Sequence, residues 1–96
     1  MRKWIKNARF GSHSLRMYYA YILKSIKDGS FYYGSTGDIE KRLQEHNAGK
    51  VRYTKGHCPW LIHYVEKYPS RSEVFKRELF FKSIDGYQWL KQKDIT

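Results

Sequence analysis

Aromatic and β-branched residues crowd Tyr18 to Leu23 and return at Phe31 to Tyr33, with Lys27-Asp28-Gly29-Ser30 between them. Such residues suit a pleated, half-buried surface, so the two runs predict a hairpin that reverses at Gly29, where the missing Cβ admits positive φ. The hairpin sets Tyr19 and Tyr21 near Tyr32, Tyr33 and Gly34. Next, Ser35-Thr36-Gly37-Asp38 offers the hydroxyl and carboxylate acceptors that start helices, which predicts a helix from about Gly37 to Asn47, ending near Gly49. Residues 49 to 60 read as a loop. Leu61 to Tyr68 alternates enough for a third strand, stopped by Pro69. Ser70 and Glu73 form a capping box that opens a helix through about Ser83, and a last short helix, Tyr87 to Lys93, packs Trp89 and Leu90 across the sheet. The order β-β-α-β-α-α predicts an α+β fold: a small three-stranded antiparallel sheet flanked by helices.

Three polar residues fall where apolar ones belong. On the first helix the apolar stripe is Ile39 and Leu43, and at about 100° per residue His46 projects within roughly 20° of Ile39 and Arg42 within roughly 60°. Arg42 and His46 are i and i+4, neighbours on that inward face. An Arg there needs an anion or a carboxylate to meet it. The second helix presents Val74, Phe75, Leu79 and Phe81 as its inward stripe, with Glu78 projecting between Val74 and Phe75. A carboxylate in that place needs a cation: Lys82 one turn on, a bridge to Arg42, or a divalent metal. Structural readings exist for the other two as well, a dipole contact for His46 and an ion pair for Arg42.

Ninety-six residues form one domain, and 19 Lys and Arg against 9 Asp and Glu leave a net charge of +10. That excess favours a polyanionic partner. Half of it lies in residues 1–16, which carry Arg2, Lys3, Lys6, Arg9 and Arg16 without an acid and read as a flexible basic extension ahead of a domain over 17–96. Lys50, Arg52 and Lys55, interleaved with Tyr53 and Trp60, have the composition that tracks a nucleic-acid backbone and stacks a base, although Trp60 equally suits the core. The single Cys58 permits no internal disulfide, and no apolar run reaches membrane-spanning length, so a cytoplasmic setting is expected.

Tyr19-Ala20-Tyr21 followed by Tyr32-Tyr33-Gly34 resembles the paired signature of the GIY-YIG nuclease superfamily, in particular its small stand-alone bacterial members related to the catalytic module of the excision-repair subunit UvrC. The likeness runs from Met17 to about Trp89 and continues through Arg42, His46 and Glu78. Tyr19 stands where the family name has Gly, and no residue matches the polar Asn that many relatives carry near the end of the module.

The resemblance implies a DNA endonuclease using one Mg²⁺ or Mn²⁺ ion held by Glu78, with Arg42 on the scissile phosphate and a tyrosine as base. Tyr21 is expected in that role, with Tyr32 orienting water or phosphate and His46 bonding or relaying a tyrosine proton. Ser35, Thr36 and Asn47 are expected to support them. Nearly the whole chain is catalytic module, so cutting by strand form or structure is expected in DNA repair or processing, on single-stranded or branched DNA or with a protein partner supplying the address. A nucleic-acid-binding module without useful catalysis, or an adaptor in a repair assembly, is the alternative.

Overall fold

The computed structural model describes Ile5–Lys6 and residues 16–96. The expectation of a flexible basic extension falls mostly on residues outside the described ones. Ile5–Lys6 form a two-residue strand, β1, followed by β2 (Tyr18–Ser25), β3 (Phe31–Thr36), α1 (Ile39–Asn47), β4 (Trp60–Tyr68), α2 (Arg71–Phe81) and α3 (Ile84–Gln92). The sheet order is β1-β4-β2-β3. β2 pairs antiparallel with β3 and β4, giving the three expected strands, while β1 adds a short parallel edge at Val65 and Glu66. Gly29 makes the hairpin turn with φ of +76°.

Alternation along β2 sends Ala20 and Ile22 to one face and Tyr21 and Leu23 to the other. The first face packs Tyr64, Val74, Phe81 and Leu90 beneath α2 and α3, and the second packs Trp60, Ile62 and Val65 with Ile39 and Leu43 of α1. β4 serves both faces through a register shift opposite Ile22 and Leu23, where Ile22 pairs with Tyr64 and Leu23 with Ile62. The extra residue, His63, changes the parity of the strand, so Trp60 and Ile62 join Val65 on the α1 side while Tyr64 and Glu66 face α2.

Several expectations need correcting. β3 continues through Gly34-Ser35-Thr36, and the cap of α1 is the Asp38 carboxylate, which accepts from the Lys41 amide at 3.1 Å. Trp60 is no stacking platform; it opens β4 in the core, its indole N–H donating to the Thr54 carbonyl at 3.0 Å. On α2 the inward residues are Val74 and Phe81, whereas Phe75 and Leu79 are exposed. The packed stripe thus follows i, i+3, i+4 and i+7, which places Arg77 and Glu78 between the two apolar anchors. Ser70 caps α2 as expected, its hydroxyl accepting from the Glu73 amide at 3.2 Å, while the Glu73 carboxylate accepts from that hydroxyl at 2.8 Å. α2 stops at Phe81, and α3 begins at Ile84 behind a Ser83 cap.

Candidate active site

The candidate residues gather at β3, the edge strand of the sheet. Tyr21 pairs across from Gly34, and its ring lies over that residue so closely that a Cβ on Gly34 would stand 2.5 Å from the phenol oxygen. Only glycine leaves room for the hydroxyl to extend over the edge strand. Beneath it the Tyr21 hydroxyl meets His46 Nε2 at 3.0 Å, and His46 Nδ1 meets the Thr54 hydroxyl at 2.8 Å. Thr54 spends its one proton on the Val51 carbonyl, 3.3 Å away, so it accepts from His46. The network therefore assigns the proton of His46 to Nδ1 and leaves Nε2 to accept from Tyr21.

Electrostatics reinforce that arrangement. His46 is fully buried, and burial first, then the nearby Arg42 charge, lower its pKa to about 4, so it is neutral at physiological pH. Burial pushes Tyr21 up to about 12; the Arg42 guanidinium, within hydrogen-bonding reach, pulls the other way, while Tyr32 and Glu78 oppose ionisation further. The phenol is protonated at rest. Arg42 is half-buried and bonds Glu45 at 2.9 Å, a partner one turn along the helix that answers the demand for a carboxylate beside it.

Tyr32 shares the Tyr21 face: its ring centroid lies 4.9 Å from His46 and 6.4 Å from Tyr21. The exposed Tyr53 leans on Tyr32 at 5.8 Å. Lys50, Arg52 and Lys55 are exposed on the loop that carries Tyr53. Asn47 plays a scaffold part, its side-chain amide bonding both the N–H and the carbonyl of Trp60 at 2.6 and 3.1 Å.

Glu78 approaches from the other side of the edge strand. It accepts from Ser35 of β3 at 2.5 Å and from Lys82 at 2.7 Å, with its side chain 15% exposed. Of the three cations considered from sequence, the structure shows Lys82; Arg42 pairs elsewhere. Among the described residues no three His, Cys, Asp or Glu converge on a metal position. A single carboxylate still fits a hard divalent ion that fills its shell with water and phosphate oxygens, and each Glu78 oxygen keeps a free lone pair beside its one partner.

A family model described as the GIY-YIG catalytic domain matches residues 17–86. The chain belongs to the GIY-YIG family. The chain is similar to UPF0213 proteins from Bacillus licheniformis, 43% identical over 70% of this chain and 69% of that one, and from Staphylococcus haemolyticus, 43% identical over 77% and 90%. A third, from Halobacterium salinarum, is 36% identical over 75% and 94%. A solution NMR structure of a UPF0213 protein from Bacillus halodurans aligns over 79% of this chain and 83% of that one with 34% identity and a TM-score of 0.48. GIY-YIG domains are a nuclease family that generally uses a divalent metal and acts on DNA. No described helix is long and apolar enough to cross a membrane.

Sequence reasoning missed Thr54 and Glu45. Nothing in the loop's composition marks Thr54, which is buried only because the Trp60 indole and the His46 ring close over it. It also missed a fully buried carboxylate, Glu66, bound by Arg77 at 2.6 and 3.0 Å and by the Tyr64 and Tyr68 hydroxyls at 2.6 Å each. The period-two run Tyr64-x-Glu66-x-Tyr68 was the available signal.

Proposed function

We propose that this protein is a DNA endonuclease that hydrolyses phosphodiesters with one Mg²⁺ or Mn²⁺ ion on Glu78. The observation that carries the reading is the chain from Tyr21 through His46 to Thr54, with Arg42 and Glu78 acting on the same phenol. Arg42 engages the scissile phosphate with its planar fork. Tyr32 orients the attacking water. As the water oxygen bonds to phosphorus, its proton passes to the Tyr21 oxygen while the phenol proton moves to His46 Nε2; the ester P–O bond breaks, and the leaving oxygen is protonated from solvent. The incoming phosphate offsets the Arg42 charge, which after burial is the second influence lowering the His46 pKa. Glu78 would hold the ion, which would supply Lewis acidity toward a phosphate oxygen and offset the Glu78 charge, a minor influence beside burial in raising the Tyr21 pKa.

Lys50, Arg52 and Lys55 contact the backbone of the bound strand, and Tyr53 beside Tyr32 offers a face for a base. Backbone-facing cations and an aromatic face engage a strand whatever its sequence, so the proposed substrate is single-stranded or branched DNA in repair or processing in the cytoplasm, with a protein partner supplying any address.

The test is cleavage of labelled single-stranded, duplex and branched DNA with Mg²⁺, Mn²⁺ or EDTA, beside Glu78→Gln. Cutting is expected only with metal and with Glu78 intact; equal cutting by the Gln variant would sink the assignment. One observation favours a second reading, a binding module without catalysis: Lys82 already occupies one Glu78 oxygen. DNA binding without cutting under every metal condition would select it.

A further inference from the structure

A cleft of about 500 Å³ opens on the Glu78 side of the edge strand, between the end of β3 and the first turns of α2. Its walls are largely apolar, made by the Tyr18 ring, Val74 and Phe75, and Ser35 sits in its lining. Ser35 donates to Glu78, so the cleft adjoins the proposed metal carboxylate. Two guanidinium groups flank the same aromatic ring: Arg71 lies 5.0 Å from the Tyr18 centroid and Arg16 lies 5.6 Å from it. An Arg16 nitrogen comes 3.0 Å from where a Cβ on Gly37 would stand, which places that charge at the end of the edge strand. Neither guanidinium meets a carboxylate within 4.0 Å among the described residues, and no acid lines the cleft. Phe75 is 53% exposed, an aromatic face turned outward from a helix whose other large apolar residues include the buried Val74 and Phe81.

The geometry points to this cleft as the seat of the nucleotide next to the scissile phosphodiester in a single DNA strand. Its base lies against Phe75 and the Tyr18 ring, and its phosphate lies between Arg71 and Arg16. An unpaired base has an exposed π-face for such a wall, whereas a paired base in a duplex is stacked on its neighbours and cannot enter. The two guanidinium groups complement the phosphate, and the apolar wall complements the base. The cleft thus favours the single-stranded substrate named above. It rests on the nuclease reading only for which phosphate is cut.

Binding is measured on the full chain in EDTA, so that cleavage plays no part, using the anisotropy of labelled single-stranded 12-mers and the fluorescence of 2-aminopurine placed at successive positions. One position is expected to be quenched in wild type. Phe75→Ala abolishes that quenching and weakens binding roughly tenfold, and Phe75→Trp restores both. Arg71→Ala weakens binding several-fold and reduces the salt slope by about 0.7. Both residues are exposed, and unchanged melting curves verify the folds. If Phe75→Ala and Arg71→Ala bind and quench as wild type does, the cleft is not the subsite, even where the wild type cuts DNA. If the variants behave as expected while no metal elicits cutting, the cleft stands and the nuclease reading falls. Failure of the wild type to bind any single strand overturns the proposal.

Discussion

Glu66 and Glu78 both belong to the α2 side of the sheet, and each is met by a cation from that helix or its end, yet their surroundings differ. Glu66 is fully buried and holds four donor contacts, two from Arg77 and one each from Tyr64 and Tyr68. Burial by itself raises its pKa, but those donors outweigh burial and hold it below the ordinary carboxylate range. Glu78 has one hydroxyl and one ammonium, and that ammonium, Lys82, is 45% exposed. A saturated carboxylate has nothing left for a ligand and serves the fold. An unsaturated one at the sheet edge keeps lone pairs for a further partner, which is what the proposed metal role asks of Glu78.

The comparison is broken most forcefully at Glu66. Glu66→Ala leaves the Arg77 guanidinium and two phenols facing an empty buried site, so urea unfolding is expected to show a loss of about 3–5 kcal/mol, against under ~1 kcal/mol for Glu78→Ala. Equal losses would end the distinction. On the side of the proposed base, Tyr21→Phe keeps the ring and removes the proton donor to His46. Cleavage is expected to fall by about 10²–10⁴-fold while the fold persists with a cost of about 1–3 kcal/mol for the unsatisfied nitrogen, read from single-turnover rates and thermal melts.

Acid titration separates the regions by pH. His46 has a folded pKa of about 4, below the ~6.5 of an unfolded chain, so the unfolded state binds the extra proton between those values and stability rises with pH across that window. The full effect is roughly 3 kcal/mol, and His46→Gln should remove it from urea midpoints measured between about pH 4 and 6.5. Glu66 has a depressed folded pKa, so its contribution is intact above the ordinary Glu range near ~4.3 and is lost only as pH falls below it. Glu66→Ala should flatten that lower limb and leave the upper one. The smallest effect belongs to Lys82→Ala: an exposed i, i+4 pair changes stability by at most about 0.5 kcal/mol. Calorimetric titration should show Mn²⁺ binding tighter to this variant than to wild type, because its competitor on Glu78 is gone.

Much of this was legible before any coordinates. The hairpin, its turn at Gly29, the inward His46 and the Ser70 cap all follow from local chemistry and periodicity, which act over a few residues. Phe75 and Leu79 were misplaced because a helix of mixed polarity has no single apolar stripe, and α2 resolves the ambiguity with Arg77, whose guanidinium carbon lies 4.6 Å from the Phe80 centroid and 4.5 Å from that of Trp89. Lys82 beside Glu78 was readable as one of three partners, while the choice among them depended on where Arg42 went. Thr54 was invisible, since its burial is made by residues on separate elements.

The bulge at His63 has a consequence best put as a reading frame. Deleting that one residue would restore strict alternation to β4, and whichever half of the strand kept its face, the other would be translated out of phase. Either Trp60 and Ile62 would leave the α1 core, or Glu66 would be carried to the side of the sheet that has no Arg77 to receive it. A single inserted position lets one strand spell two incompatible messages, oil toward the tyrosine site and an ion pair toward α2.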